Sequence, residues 1–151
     1  MKTDSKQNKL KEVVTSAKQV ADPPVNRKPK IKVLLVDDHP ILRAGLGRLI
    51  NQEADMMICG EAEDGPTAFD LVGTLNPDIA VIDIFLGSET GIPIAELMID
   101  ANIAFVFCSG ATSDIDLPAA LKGSVMIPKP YSMADLIGAI FTKAIEAGNR
   151  R

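Results

Sequence analysis

The chain has 151 residues, a length that fits one domain of ordinary size. Hydrophobic residues make up 46% of it and charged residues 24%, and no stretch approaches the roughly 18 consecutive apolar residues of a membrane span. The two cysteines, Cys59 and Cys108, exclude a disulfide-rich scaffold, and no cysteine or histidine spacing is typical of a zinc site. The N-terminus lacks the apolar core of a secretory signal, so we expect a soluble, cytoplasmic protein.

The net charge of −4 conceals a basic segment in front of an acidic one. Residues 1–32 hold nine Lys or Arg against three Asp or Glu, which leaves seven against 17 for the rest of the chain. Such a basic segment could contact nucleic acid or another anionic surface. No aromatic side chain is interleaved with its charges, so we expect a solvated extension that binds neither nucleic acid nor a membrane.

The alternation of apolar runs and helical patterns begins near residue 30, and it divides the chain into three predicted parts. Residues 1–29 are expected to be the basic N-terminal extension, flexible or weakly helical, with apolar residues at helical spacing followed by a proline-rich linker. Residues 30–147 are expected to form one domain, and residues 148–151 a C-terminal tail.

Five apolar runs in this domain have the composition and length of β-strands, and helical patterns separate them. Glycine and proline interrupt the fourth pattern, at 110–123, which predicts a short or distorted helix there. The hydroxyl of Ser132 can cap the last helix, with Asp135 completing a capping box. The predicted strands are 31–36, 56–62, 79–84, 103–109 and 124–128, and the remaining predicted helices are 40–50, 65–75, 91–101 and one that begins at Ser132.

Strands that alternate with helices predict an α/β fold whose parallel sheet is covered on both faces. Five such units suit the flavodoxin-like, doubly wound, five-stranded sheet of order 2-1-3-4-5, in which Cys59 and Cys108 lie on strands that are not neighbours. Apolar residues indicate the first helix, apolar residues on one face indicate the second, and those of the last helix are expected to form a buried stripe. They are Ile41, Leu42, Leu46, Leu49 and Ile50 in the first helix, Ala68, Phe69, Val72 and Leu75 in the second, and Met133, Leu136, Ile137, Ile140, Phe141 and Ala144 in the last.

Polar side chains stand where the predicted strands end. Strand one ends in Asp37 and Asp38, strand three carries Asp83, strand four ends in Ser109 and strand five in Lys129. In open α/β sheets the binding site lies beyond the carboxyl ends of the strands. The predicted fold therefore brings three carboxylates, one hydroxyl and one ammonium together.

Asp83 interrupts an otherwise apolar strand, although burial of an unpaired carboxylate is very costly. Three neighbouring carboxylates repel one another unless a cation neutralises them, and Mg²⁺ prefers oxygen ligands of this kind. An aspartyl carboxylate can form an acyl phosphate, with Mg²⁺ and Lys129 stabilising the transferred group and Ser109 donating to one of its oxygens. The predicted site thus has the parts for covalent phosphorylation of Asp83.

Four segments resemble, in order, the motifs of the receiver domain of two-component response regulators: VLLVDDHPILRAGL, PDIAVIDIFLGSETG, FVFCSGA and MIPKPYS. The resemblance covers residues 30–147 and implies that a partner histidine kinase phosphorylates this chain in a bacterial phosphorelay. Carried over by position, it implies these roles: Asp83 as phosphoacceptor, Asp38 as a direct Mg²⁺ ligand, Asp37 as an outer-sphere ligand, the backbone carbonyl of Phe85 as a third ligand, and Ser109 and Lys129 as contacts of the phosphoryl group.

The segment IAFVFCSGA also resembles the P-F-x-F-A-T-G motif of the alphaproteobacterial FATGUY single-domain regulators, with Ala104, Cys108 and Ser109 at its Pro, Ala and Thr positions. This resemblance implies a sensor histidine kinase of the HWE/HisKA2 type, or a phosphotransfer protein, as partner. We expect no output domain, signalling through protein contacts or onward phosphotransfer, and a monomer or weak dimer.

The chain departs from the receiver pattern at three positions. Met126 stands where the family often has an aromatic switch residue, and Phe85 and Ala111 occupy the positions that tune water access, which predicts slow self-dephosphorylation. His39, the only histidine, is expected to be a loop residue beside the site and not a catalytic one.

The alternatives to a phosphoacceptor are of two kinds, an enzyme and a binding domain. A phosphatase of the haloacid dehalogenase class needs a second acid two residues after its nucleophile, where this chain has Phe85, so we expect no enzyme activity beyond self-catalysed phosphotransfer and autodephosphorylation. A degenerate receiver that only binds a partner, or a flavodoxin-like cofactor domain, is the other alternative. The complete acidic set disfavours the former, and the lack of a phosphate-binding loop after strand one disfavours a flavin domain.

Overall fold

A computed structural model describes residues 28–110 and 115–148, so the predicted N-terminal helix and Ala111 lie outside the described residues. The strands are β1 (Ile31–Val36), β2 (Met56–Ala62), β3 (Ile79–Asp83), β4 (Phe85–Leu86), β5 (Glu89–Thr90), β6 (Ala104–Ser109) and β7 (Met126–Pro128). The helices are α1 (Pro40–Gln52), α2 (Gly65–Leu75), α3 (Ile92–Asp100) and α4 (Met133–Gly148), with a 3₁₀ helix at Ala119–Leu121. None of these helices combines the length and apolarity that crossing a bilayer requires.

Five strands form one parallel sheet in the order β2-β1-β3-β6-β7. Counted within the sheet alone, this is the predicted order 2-1-3-4-5, and the flavodoxin-like fold is confirmed. The predicted strand at 79–84 ends one residue earlier, at Asp83, and the strand predicted at 124–128 begins at Met126. Cys59 and Cys108 lie on β2 and β6, which are not neighbours, and both thiols are free.

The sheet separates two apolar layers, because successive strand residues point to opposite faces. In β3, Ile79 and Val81 pack with α1 and α4 on one face, while Ala80 and Ile82 pack with α2 and α3 on the other. Each fully buried aliphatic side chain contributes roughly 1.5–3 kcal/mol. Burial on both faces therefore stabilises the apolar strands and holds their carboxyl ends at one edge.

The helix faces are narrower than the sequence periodicity indicates. Helix α1 buries Leu46, Gly47 and Ile50, whereas the side chain of Ile41 is 90% exposed. Phe69 on α2 is exposed as well, and Phe141 was expected in the buried stripe of the last helix but is exposed. The prediction for Phe141 was wrong because a helix packed on a sheet covers only part of its apolar arc. Leu42 and Leu49 of α1 are exposed as well.

The described part of the connection between β6 and β7, residues 115–125, is irregular, as the interrupted pattern predicted. It contains one turn of 3₁₀ helix, whose Leu121 is fully buried in the core. The cap of the last helix is also confirmed, because the backbone N–H of Asp135 donates to the Ser132 hydroxyl at 3.1 Å.

Candidate functional site

The acidic pair follows β1 directly and is held by the first turns of α1. Asp37 is 3% exposed, and its Oδ1 accepts the backbone N–H of His39 at 2.7 Å. The guanidinium of Arg43 donates to the backbone carbonyl of Asp37 and lies 3.4 Å from Glu61 at the end of β2. Asp38 is partly exposed. The turn that presents both carboxylates is therefore tied to α1 and to the neighbouring strand.

Asp83 is the last residue of β3 and is 4% exposed, in the centre of the sheet between β1 and β6. One of its carboxylate oxygens, Oδ1, accepts the backbone N–H of Phe85 at 3.1 Å. The other oxygen, Oδ2, accepts the ammonium of Lys129 at 2.7 Å. Both oxygens thus have partners, which explains how a buried strand accommodates this carboxylate.

Lys129 joins two of the three carboxylates. Its Nζ lies 2.7 Å from Asp83 Oδ2 and 3.4 Å from Asp37 Oδ2. Burial lowers the pKa of Lys129, but the hydrogen bonds and charges of Asp83 and Asp37 outweigh burial and raise that pKa above its ordinary value. Lys129 therefore stays charged at neutral pH and neutralises part of the negative charge.

Ser109 ends β6 and is fully buried. Its backbone carbonyl accepts the N–H of Lys129 at 2.7 Å, and the peptide bond between Lys129 and Pro130 is cis. The structure thus brings together the predicted site residues Asp37, Asp38, Asp83, Ser109 and Lys129 at one edge of the sheet.

A hairpin that the sequence analysis missed, formed by β4 and β5, follows Asp83. Its two-residue loop is Gly87-Ser88, and Gly87 has a φ of +62°, which suits the first loop position of a type II′ turn. A Cβ at Gly87 would lie 3.6 Å from Asp38 Oδ2. The glycine thus keeps the backbone close to the acidic pair without a side chain over it. A Gly-Ser pair between short strand-forming residues was the available signal.

Gly91 closes this loop against β3. Its N–H donates to the carbonyl of Ile84 at 2.8 Å. A Cβ at Gly91 would overlap the backbone carbonyl oxygen of Asp83 and the side chain of Ile82. The start of α3 can therefore lie against β3 only with glycine at this position.

Four side chains of the site lie close enough together to hold a divalent cation. One ligand atom each from Asp37, Asp38, His39 and Asp83 lie within 4.8 Å of one another. Asp38 Oδ1 is buried, and among the described residues it forms no hydrogen bond. Three carboxylates against the single ammonium of Lys129 leave an excess of negative charge. This donor set fits Mg²⁺, which prefers oxygen ligands and is held by few carboxylates.

Cys108 is the other potential nucleophile at this edge, paired with Asp83 in the sheet register. Burial raises the pKa of its thiol to about 12, the nearby Lys129 lowers it in part, and the carboxylates of Asp83 and Asp37 raise it further. The thiolate is the reactive form of cysteine. The Cys108 thiol is therefore protonated at neutral pH.

Known proteins resemble this chain over most of its length. The sequence model of the response regulator receiver domain matches residues 33–141. The nitrate/nitrite response regulator protein NarL of Escherichia coli is 30% identical over 116 residues, which cover 74% of this chain and 54% of that protein. A protein-glutamate methylesterase/protein-glutamine glutaminase of Pyrococcus horikoshii is 31% identical over 128 residues, which cover 78% of this chain and 35% of that protein. The chain spans about half or a third of the length of these curated relatives.

Solved structures agree with this match. The response regulator domain of Thermotoga maritima CheB superposes with a TM-score of 0.65 at 27% identity, covering 77% of this chain and 97% of that one. A CheY-like response regulator receiver domain protein from Methanospirillum hungatei superposes with a TM-score of 0.70 at 19% identity. The match covers 82% of this chain and 100% of that one. The second likeness shows the fold alone.

Proposed function

The chain belongs to the response regulator receiver domain family, and from this membership we propose that Asp83 accepts a phosphoryl group from a partner histidine kinase or phosphotransfer protein. The observation that carries the proposal is the contact of 2.7 Å between the Lys129 ammonium and the buried Asp83 carboxylate. This carboxylate lies beside an acidic pair whose Asp38 Oδ1 has no hydrogen bond among the described residues. The receiver unit is proposed to comprise residues 30–147, flanked by a basic extension and a short tail.

In the proposed reaction, a carboxylate oxygen of Asp83 attacks the phosphorus of a phosphohistidine. The new O–P bond replaces the P–N bond, and the imidazole of the donor leaves. Before the reaction, the Lys129 ammonium donates a hydrogen bond to Asp83. After the transfer it donates to a phosphoryl oxygen instead, and the Ser109 hydroxyl contacts a second phosphoryl oxygen. Asp38, Asp83 and the Phe85 carbonyl are the proposed Mg²⁺ ligands, with Asp37 in the outer sphere. The bound ion supplies a positive charge that neutralises the developing charge on the phosphoryl oxygens.

The phosphodonor is proposed to dock on the exposed start of α1, beside the acidic pair. Ile41 is 90% exposed there and follows Pro40, also exposed, three residues after Asp38. A large apolar side chain that protrudes next to a reactive site is suited to contact a partner protein. We expect Ile41→Ser to slow phosphotransfer from an HWE/HisKA2-type kinase at least about tenfold and to leave phosphorylation by acetyl phosphate unchanged.

Phe69→Ser is the matched control, because Phe69 is an exposed aromatic residue on α2, which packs on the opposite face of the sheet. Equal slowing by both substitutions, or slowing with acetyl phosphate as well, would show that Ile41 is not part of the docking surface.

The acyl phosphate is proposed to be long-lived. Phe85, two residues after Asp83, is 46% exposed and offers no side-chain group that could position a water. Replacement by Asn supplies such a group, so Phe85→Asn is expected to shorten the lifetime of the acyl phosphate. Decay of the phosphorylated wild type should take minutes or longer in a mass-spectrometric time course. A lifetime of seconds in the wild type would contradict this part of the proposal.

The experiment that tests the proposed function is incubation of the full chain with acetyl phosphate and Mg²⁺, followed by measurement of the intact mass. We expect the wild type to gain one phosphoryl group, labile to hydroxylamine, and Asp83→Asn to gain none. Asp70→Asn, which removes an exposed carboxylate in α2, is the control and should be phosphorylated like the wild type. No adduct from acetyl phosphate or from any kinase would leave a degenerate receiver that only binds a partner.

A further inference from the structure

Helix α4 exposes one apolar stripe on the side opposite to its buried residues. Helical residues at positions i, i+4, i+7 and i+11 lie on one side of a helix. In α4 all four residues at this spacing are exposed: Ala134, Gly138, Phe141 and Ile145. Phe141 and Ile145 are 43% and 45% exposed, although both are large and apolar. A Cβ built at Gly138 would have no described atom within 4 Å, so the described part of the chain leaves the middle of the stripe uncovered.

The described chain begins beside this stripe. Pro29 and Lys30, which lead into β1, line a groove together with Ile145 near the C-terminal end of α4. Residues 1–27 are therefore joined to the domain at the point where the stripe ends. Apolar side chains in that segment are tethered close to the exposed side chains of α4.

The segment in front of the domain carries an apolar pattern of the same length as the stripe. Its apolar residues at helical spacing are Leu10, Val13, Val14, Ala17 and Ala21. Eleven residue steps separate the first of them from the last, as they do the first and last residues of the stripe. Since a helix rises about 1.5 Å per residue, each set extends over about 17 Å. The two apolar faces can thus pair along their whole lengths.

The connecting residues are long enough for this pairing. Eight residue steps lead from Ala21 to Pro29, and fully extended they span roughly 26–29 Å, which exceeds the length of the stripe. A short tether of this kind gives an effective concentration in the millimolar range. A separate molecule must reach that concentration to compete, which favours the chain's own segment over a second copy or another protein.

The net charges of the two parts are complementary. Residues 1–27 hold six Lys or Arg against three Asp or Glu, whereas residues 28–151 hold ten against 17. Opposite net charges attract the segment toward the domain, and the same acidic excess opposes the pairing of two domains. Charge thus favours the same occupant as the tether.

We propose that residues 10–21 bind to the exposed stripe of α4 in the same molecule, as an amphipathic helix whose apolar side chains cover Phe141 and Ile145. Ala134 and Gly138 allow that helix to approach closely, because they present no large side chain. The bound segment closes this face of the domain to other apolar partners. The contact does not depend on phosphorylation of Asp83.

Hydrogen exchange of the full chain, followed by mass spectrometry, tests the proposal. We expect the backbone amides of residues 10–21 to exchange at least about tenfold more slowly than in an unfolded peptide of the same sequence. Val14→Asp places a charge on the apolar face of the segment and should abolish this protection. Gln19→Asp is its matched control, since Gln19 lies on the opposite face of the predicted helix, and it should leave the protection in place.

Two substitutions in the domain separate docking on α4 from helix formation alone. Phe141→Ser should abolish the protection of residues 10–21. Phe69→Ser should not, because Phe69 is 42% exposed on α2, which packs on the opposite face of the sheet. Absence of protection in the wild type, protection that persists in Phe141→Ser, or equal loss in Phe69→Ser would overturn the proposal. Protection that grows with protein concentration would also overturn it, because a second copy would then supply the segment.

Discussion

Strands β3 and β6 place Asp83 and Ser109 at the same edge of the sheet, yet the described residues that follow the two strands are packed differently. After β3, a hairpin and Gly91 pack so closely that a Cβ at Gly91 would overlap the Asp83 carbonyl. After β6, no described atom lies within 4 Å of a Cβ built at Gly110, and the described part of the connection holds one 3₁₀ turn. Among the described residues, the backbone is thus crowded beside Asp83 and uncrowded at Gly110 beside Ser109, so Gly91 and Gly110 should tolerate substitution very differently.

Gly91→Ala should produce the largest effect. The new methyl group meets backbone atoms that cannot move aside without displacing β3, and we expect a loss of about 3 kcal/mol or more in the free energy of unfolding. Gly110→Ala is the matched control and should change it by less than about 0.5 kcal/mol. Urea unfolding followed by circular dichroism measures both. Equal effects of the two substitutions would show that the loops are not crowded to different degrees.

Lys129→Met should produce the next largest effect, because it leaves Asp37 and Asp83 without their ammonium. Removing one partner of a buried pair costs about 3–5 kcal/mol, and since the Lys129 side chain is 21% exposed we expect about 1–3 kcal/mol at pH 7. The pKa of Lys129 is raised above 10.5 in the folded state. The advantage of the wild type is therefore constant from pH 7 to 9 and disappears as the pH rises through that raised pKa.

Lys143→Met provides the control for this prediction, since it removes the lysine of the more exposed pair with Glu146, whose Nζ–Oε2 distance is 2.9 Å. Loss of this pair should cost less than about 1 kcal/mol. Mg²⁺ should restore part of the stability of Lys129→Met and none of that of Lys143→Met. A loss in Lys129→Met no larger than in Lys143→Met would contradict the structural role of the lysine.

Gly87→Ala should produce the smallest change in stability and a specific change in metal binding. Its φ of +62° costs an L-residue about 1 kcal/mol, and the added Cβ lies 3.6 Å from Asp38 Oδ2. We expect Mg²⁺ affinity to fall as well. Gly123→Ala, at a φ of +89° in the connection between β6 and β7, should show a comparable loss of stability with unchanged Mg²⁺ affinity. Isothermal titration compares them, and equal Mg²⁺ affinities would show that Gly87 does not shape the metal site.

Much of the fold could be predicted from the sequence because the buried strands are apolar runs bounded by turn residues. Periodicity does not show which part of a wide apolar arc faces the sheet, and so Phe141 was wrongly placed in the buried stripe of the last helix. The hairpin of β4 and β5 was missed because strands of two residues are too short to show an alternating pattern.

The members of the site could be predicted because parallel strands end at one edge, where their polar residues must meet. The bond of Arg43 to the Asp37 carbonyl and the approach of His39 to Asp38 depend on how α1 leaves β1. Sequence spacing carries no information on that angle, so these contacts required the structure.

The central claim is that Asp83 is phosphorylated, and locating the modified residue tests it most directly. The full chain is treated with acetyl phosphate and Mg²⁺, the acyl phosphate is reduced with borohydride to homoserine, and the peptides are sequenced by mass spectrometry. We predict homoserine at position 83 and unmodified aspartates at positions 37 and 38. Homoserine at position 37 or 38 would contradict the account. So would the absence of homoserine from the whole chain under conditions that phosphorylate a known receiver domain.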